Sequence, residues 1–237
     1  MSDRNLSLSG RREDIREKII VPVISFNRDQ IKEHFGANVA SIESYFEIAD
    51  VLWEQGKEEA CRDIWRSQIV YIESSLDFYM HEISKYGTLQ MYERFWKKTS
   101  EYNKITILLK DLEEGIKQSE ASGTWFVTLM NRHFRYSVFM AYDRIAEQCR
   151  LLGFKMDDVI KKAFPPSGDP NIPNRDGKKV IRDLFTRRNQ IAHQCDCKHE
   201  NAEKNNIDKE YVLQAIADIK NFVSAIHEQI SIKDAES

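Results

Sequence analysis

Glycine and proline are scarce, at 9 and 5 in 237 residues. So few turn-forming residues exclude a loop-rich or all-β chain, which needs a turn signal between every pair of short strands. Cysteine is scarcer still. Cys61, Cys149, Cys195 and Cys197 are scattered and make no disulfide framework for a chain of this size. Long apolar runs are missing. The longest, Ile19–Ile24, is interrupted by Pro22, whereas a membrane-spanning helix needs about 20 apolar residues. The opening residues M-S-D-R-N-L-S-L-S-G hold no hydrophobic signal core. With no address and no span, a cytoplasmic protein without membrane contact is expected. A large excess of one charge is also absent. The formal net charge is −3, so the surface as a whole does not attract nucleic acid, and any RNA contact must use a local patch. No GxGxxG, Walker loop, kinase-like set, internal repeat or low-complexity segment occurs.

The chain is instead rich in helical periodicity. Apolar residues make up 41% and charged residues 31%, the balance of a helical soluble domain. Apolar spacings of three and four predict helices over Arg11–Ile20 (ended by Pro22), Arg28–His34 and Ala37–Glu54. They predict the longest helix over Lys57–Tyr86, then Thr88–Lys97, Glu101–Lys117 and Trp125–Leu152, with Gly123 at a turn. Asp157–Phe164, Gly177–Gln194 and Asp208–Ile230 complete the set, and Met1–Ser9 reads as a frayed end. Glu113 and Glu114 ahead of Lys117 offer ordinary surface pairing. The stretch from Trp125 to Tyr142 is rich in aromatics, which at this spacing predicts core or interface rather than a base-stacking platform. One clear loop, Pro165–Gly177, carries four of the five prolines and is placed to overhang the helix after it. The expected fold is an all-α helical bundle, with residues 1–56 as an N-terminal helical extension and 57–237 as one compact unit.

Phe185–Cys195, F-T-R-R-N-Q-I-A-H-Q-C, holds the chemistry. On a helical wheel Val180, Ile181, Leu184, Phe185, Ile191 and Ala192 form one apolar stripe, with Arg188 in its middle. Asn189 and His193, four apart, lie one above the other at the stripe's edge. Arginine keeps its proton, and burying it unpaired is costly. A bound anion, a carboxylate of the fold or a second chain must answer Arg188. Around it, Arg175, Lys178, Lys179, Arg182, Arg187 and Arg188 outnumber Asp176 and Asp183, a local basic surplus.

The residues R-N-Q-I-A-H resemble the RNxxAH motif of the HEPN superfamily in its RiboL-PSP-HEPN branch. The close resemblance covers Arg182–Gln194, and helix order extends it from Lys57 onward. It implies a helical bundle that dimerises through the motif helices and sets two motif copies in one cleft. Many such proteins are metal-independent endoribonucleases of toxin–antitoxin, anti-phage or RNA-processing systems, and some only bind. It implies Arg188, Asn189 and His193 as catalytic residues and Arg187 as a supporting one. Lys178, Lys179 and Arg182 become RNA contacts. The partners implied are RNA, a second copy of the chain and an antitoxin protein; no cofactor or metal is implied. The family also carries an acidic LExxL-type pattern on an early core helix. Y-I-E-S-S-L (Tyr71–Leu76) resembles it, which makes Glu73 the candidate partner of Arg188; the alternative is a half-exposed glutamate with no role.

The implied reaction is attack of an RNA 2′-hydroxyl on the adjacent phosphate, giving a 2′,3′-cyclic phosphate and a 5′-hydroxyl. It needs a base on the 2′-oxygen, an acid on the leaving 5′-oxygen and positive charge on the phosphorane. Histidine can be acid or base near neutral pH, and an arginine fork can bond two phosphate oxygens. Asn189 would orient the imidazole or bind phosphate. Two schemes fit: two copies of His193 across a two-fold axis, or Arg188 polarising the 2′-hydroxyl with one His193 as acid. Arg188 and His193 are five apart, about 140° around an ideal helix. They converge only if the arginine folds across or the partner chain supplies one of them.

Other readings are weaker. His193, Cys195, Cys197 and His199 are all zinc-ligand types, but their alternate spacing is wrong for a knuckle and His193 ends a helix. His81–Glu82 lacks the second histidine of HExxH, because position 85 is lysine. His34, His133 and His227 are isolated. Two function classes compete with the ribonuclease: a non-enzymatic HEPN-like nucleotide, RNA or dimer module, and a plain helical scaffold presenting its aromatic helix to a partner.

Overall fold

The computed structural model describes residues 25–113, 125–169 and 173–236. The expected fray at Met1–Ser9, the helix at Arg11–Ile20, the Gly123 turn and the Glu114–Lys117 pairing lie outside them. The chain is all-α. Among the described residues the β pairing is limited to an isolated bridge between Cys197 and Lys204, and no helix is long and apolar enough to cross a membrane.

Helix α1 spans Arg28–Glu54 without a break, where two helices were expected. Gly36 is tolerated inside it, and α1 continues because Ile31, Phe35, Val39, Ile42, Phe46 and Ala49 keep one buried stripe running. Its start is a capping box: Asn27 Oδ1 accepts from the Gln30 N–H at 2.9 Å, and Gln30 Oε1 accepts from the Asn27 N–H at 3.0 Å. Helix α2, Glu58–Tyr92, is the hub. Ile69, Ile72, Leu76, Tyr79, Met80 and Ile83 are all fully buried. Against α2 pack α1, α3 (Trp125–Phe134), α4 (Tyr142–Leu152), α6 (Gly177–Gln194) and α7 (Lys209–Ala235). Helix α5, Met156–Ala163, seats on α7.

α2 runs past the expected end at Tyr86 because Gly87 lets two layers approach. A Cβ there would fall 2.2 Å from Leu152 Cδ2 and 2.9 Å from Trp96 Cζ3. Gly87→Ala is therefore expected to destabilise by about 1–3 kcal/mol through overpacking, read as a lower urea midpoint with an unchanged slope. An unchanged midpoint would show that the Leu152 and Trp96 side chains give way freely. The helix expected at Thr88–Lys97 is replaced by the end of α2 and a turn; within Glu101–Lys117 a 3₁₀ turn over Tyr102–Lys104 and non-helical residues 105–108 come first, and α-helix is present at 109–113 among the described residues. Thr99 causes the change: its hydroxyl donates to the Leu151 carbonyl and accepts the Tyr102 N–H.

The single helix expected over Trp125–Leu152 is two. Residues 135–141 leave helical form because α2 offers them better partners. The Asp77 carboxylate accepts the Phe139 N–H at 2.5 Å, and His81 Nε2 lies 3.1 Å from the Ser137 carbonyl. A carbonyl only accepts, so that nitrogen carries the proton. Phe126, Phe134, Phe139 and Tyr142 are core, as expected, but Tyr136 is 86% exposed.

Candidate functional site

Helix α6 begins and ends on side chains that force its boundaries. Asp176 caps it by accepting the Lys179 N–H at 3.1 Å. Gly177 follows because a Cβ there would strike the Phe164 ring at 2.3 Å. Cys195, with φ 51°, turns left-handed and stops it. The preceding loop is pinned at its end, where Arg175 forks onto Asp218 of α7 with both contacts at 2.5 Å.

Only Gly177, Ile181 and Leu184 of α6 are buried. The expected stripe therefore stops at Leu184. Phe185 and Ile191 are half-buried and Ala192 is exposed, because the second half of α6 runs past the edge of the core. Arg188 sits half-buried at that edge. Its Nη1 donates to Asn189 Oδ1 at 3.1 Å, and its Nε is buried without a partner. The guanidinium is thus tied to Asn189, which stands one turn before His193 on the same face of α6. His193 is exposed.

Glu73 lies beneath, on α2. It is 1% exposed, so the half-exposed alternative is overturned, and neither carboxyl oxygen has a hydrogen-bond partner. Burial pushes this carboxyl up to about 8; the nearby Arg188 charge pulls it down and Asp77 pushes it up. Glu73 and Arg188 therefore feel each other without bonding. Below its ordinary value of 4.5 the proton is bound in both folded and unfolded chains; between 4.5 and 8 only the folded chain holds it. Folding stability should accordingly fall as pH rises through this window. Urea unfolding at pH 5 and pH 8.5 tests this: the native chain should lose stability, and Glu73→Gln, with no proton to lose, should lose less. Equal losses would show that Glu73 is not the group responsible.

Arg187 faces a different task. It pairs with Asp196 (Nη1–Oδ1 2.5 Å, Nη2–Oδ2 2.8 Å), and Arg66 Nε holds the same carboxylate at 2.8 Å. Asp196 is fully buried and in left-handed conformation, φ 60°. Its N–H donates to the Gln190 carbonyl at 3.0 Å, and its own carbonyl accepts from Asn205. Asp196 and Arg66 tie the end of α6 to α2, a role the sequence did not disclose.

A family model for RiboL-PSP-HEPN matches residues 54–231. The chain belongs to this family. Searches of curated proteins and of solved structures return no match. The RiboL-PSP-HEPN match begins at the last residue of α1 and contains all the motif residues. Around the RiboL-PSP-HEPN motif the basic surplus is largely spoken for. Lys179 pairs with Asp183, Arg182 lies 3.5 Å from Asp143, and Lys178 and Arg182 both sit over the Tyr142 ring at about 5 Å. Lys178 and Arg182 still reach solvent beside the motif. The His193, Cys195, Cys197, His199 tract forms no metal cluster among the described residues.

Proposed function

We propose that this HEPN-domain protein is a metal-independent endoribonuclease. One observation carries the reading. Arg188 donates to Asn189 Oδ1, and Asn189 shares a helix face with His193 one turn on, which supports a common role for the three. The buried carboxyl nearest in charge, Glu73, is held largely protonated at neutral pH and makes no ion pair with Arg188. The positive charge of Arg188 is left for a phosphate.

In this reading the arginine fork bonds two non-bridging phosphate oxygens. Asn189 Oδ1 is taken by Arg188, so its amide N–H₂ donates to the phosphate or to the imidazole. The 2′-oxygen attacks phosphorus, its proton passes to a base, and the P–O5′ bond breaks as the 5′-oxygen receives a proton from His193. The base is His193 of a second copy, or solvent acting on a 2′-hydroxyl polarised by Arg188. The uncovered second half of α6 supports a dimer across the motif helices, since no residue from Phe185 to Gln194 is fully buried. Lys178 and Arg182 steer RNA toward the motif. A cytoplasmic toxin or defence effector held by an antitoxin protein fits this chemistry. Incubating the purified protein with RNA in EDTA tests the reaction. Fragments should carry 2′,3′-cyclic phosphate and 5′-hydroxyl ends, and a single 2′-deoxy substitution at the cleaved position should block that cut. Ends of the opposite polarity, or cleavage indifferent to the 2′-deoxy group, would rule out the mechanism.

A further inference from the structure

The break between α3 and α4 leaves a cavity of about 550 Å³, a size typical of small-molecule sites. Its walls carry Tyr136 and Phe139 from the connector, Phe185 from α6, and Glu147 and Gln148 from α4. Two features set it apart from a packing defect. Tyr136 is 86% exposed, whereas Phe134 and Phe139 in the same lining are buried. Gln148 is 9% exposed, yet its Oε1 has no hydrogen-bond partner. Buried amide oxygens are almost always satisfied, so this one calls for a donor.

Position says where that donor comes from. Phe185 lines the cavity and precedes Arg188 by three residues, so the two are neighbours on one face of α6. Resting on the ribonuclease reading, we propose that the cavity holds the nucleobase next to the phosphate gripped by Arg188. Tyr136 and Phe185 supply ring contacts, which every base can use. Gln148 Oε1 accepts from the base's N–H edge; the Glu147 carboxylate, paired with Arg144 of the same wall at 3.0 Å, keeps lone pairs for a second N–H, and Arg144 adds a donor. Two acceptors beside one cationic donor favour guanine, whose N1–H and N2–H₂ are adjacent donors next to the O6 acceptor. Uracil, with one N–H between two carbonyls, fits worst.

Titration of the full-length protein with the four ribonucleoside 3′-monophosphates tests this without requiring turnover. Guanosine 3′-monophosphate should bind tightest and uridine 3′-monophosphate weakest. Tyr136→Ala, at an exposed position that does not endanger folding, should weaken all four by about 5- to 100-fold. Gln148→Met should fold, as checked by its melting temperature, and narrow the gap between guanosine and uridine 3′-monophosphate. Arg188→Ala should weaken all four while keeping their order. Equal binding of the four by the native protein, a guanosine-to-uridine gap unchanged by Gln148→Met, or no effect of Tyr136→Ala would overturn the proposal. The two readings fail separately. RNA cleavage with no base dependence and no effect of Tyr136→Ala removes the base site alone. Base-selective binding by a protein that cuts no RNA removes the ribonuclease alone.

Discussion

Replacing His193 with alanine is expected to slow RNA cleavage by about 10²–10⁴-fold, the usual contribution of a positioned proton donor or acceptor. The melting temperature should hardly move. His193 is exposed, and substitutions at such positions normally change stability by no more than about 0.5 kcal/mol. Activity and stability should thus separate cleanly at this residue, which a packing or capping role would not allow. Arg188→Ala should cost about 10²–10³-fold through lost charge on the phosphorane. Arg188→Lys should recover only part of it, because an ammonium cannot bond two phosphate oxygens in one plane. Single-turnover rates on one RNA with a defined cut, measured beside thermal melts of each variant, read both effects.

Asp196→Ala should produce the largest loss of stability. Removing this carboxylate leaves Arg66, itself 5% exposed, and Arg187 without their shared acceptor. Breaking one side of a buried charged cluster costs about 3–5 kcal/mol, or roughly 6–20 °C of melting temperature in a chain of this size. Asp196→Asn should lose less. Asparagine tolerates the left-handed backbone at φ 60° and can still accept from one arginine. The functional consequence comes from the fold. His193 lies in the last turn of α6, and Asp196 pins the chain just beyond it to α2. Near the lowered melting temperature, cleavage by Asp196→Ala should drop ahead of global unfolding. If Asp196→Ala melts with the native protein, the tie to Arg66 contributes nothing.

Much of the architecture is legible in the residues. The bounds of α6 at Gly177–Gln194 can be read because Asp176, the apolar spacing and the polar connector all mark its ends. Elsewhere local signals mislead. Arg28–His34 and Ala37–Glu54 read as two helices, but Gly36 between them sits with open space around its Cβ position inside one helix whose buried stripe continues. Trp125–Leu152 reads as one helix. No local cue reveals that Asp77 and His81, on another helix, draw residues 135–141 out of it.

The same limit applies to the site. The motif points to Arg188, Asn189 and His193, and the acidic pattern on α2 points to Glu73. Arg187 stands next to Arg188 with the same chemistry, and only the fold shows that it is bound to Asp196. Asp196 itself lies in a polar connector between two cysteines, and its partner Arg66 is 130 residues away in sequence. The cavity beside Phe185 is hidden for a related reason: it exists only because the aromatic helix breaks.

If Arg188 and His193 act together on an RNA phosphate without a metal, cutting needs both. Cleavage of one defined RNA in EDTA by the native protein, Arg188→Ala and His193→Ala, each shown to be folded, tests it most directly. The native protein should cut, and both variants should lose nearly all cutting. Cutting that persists in both would contradict it.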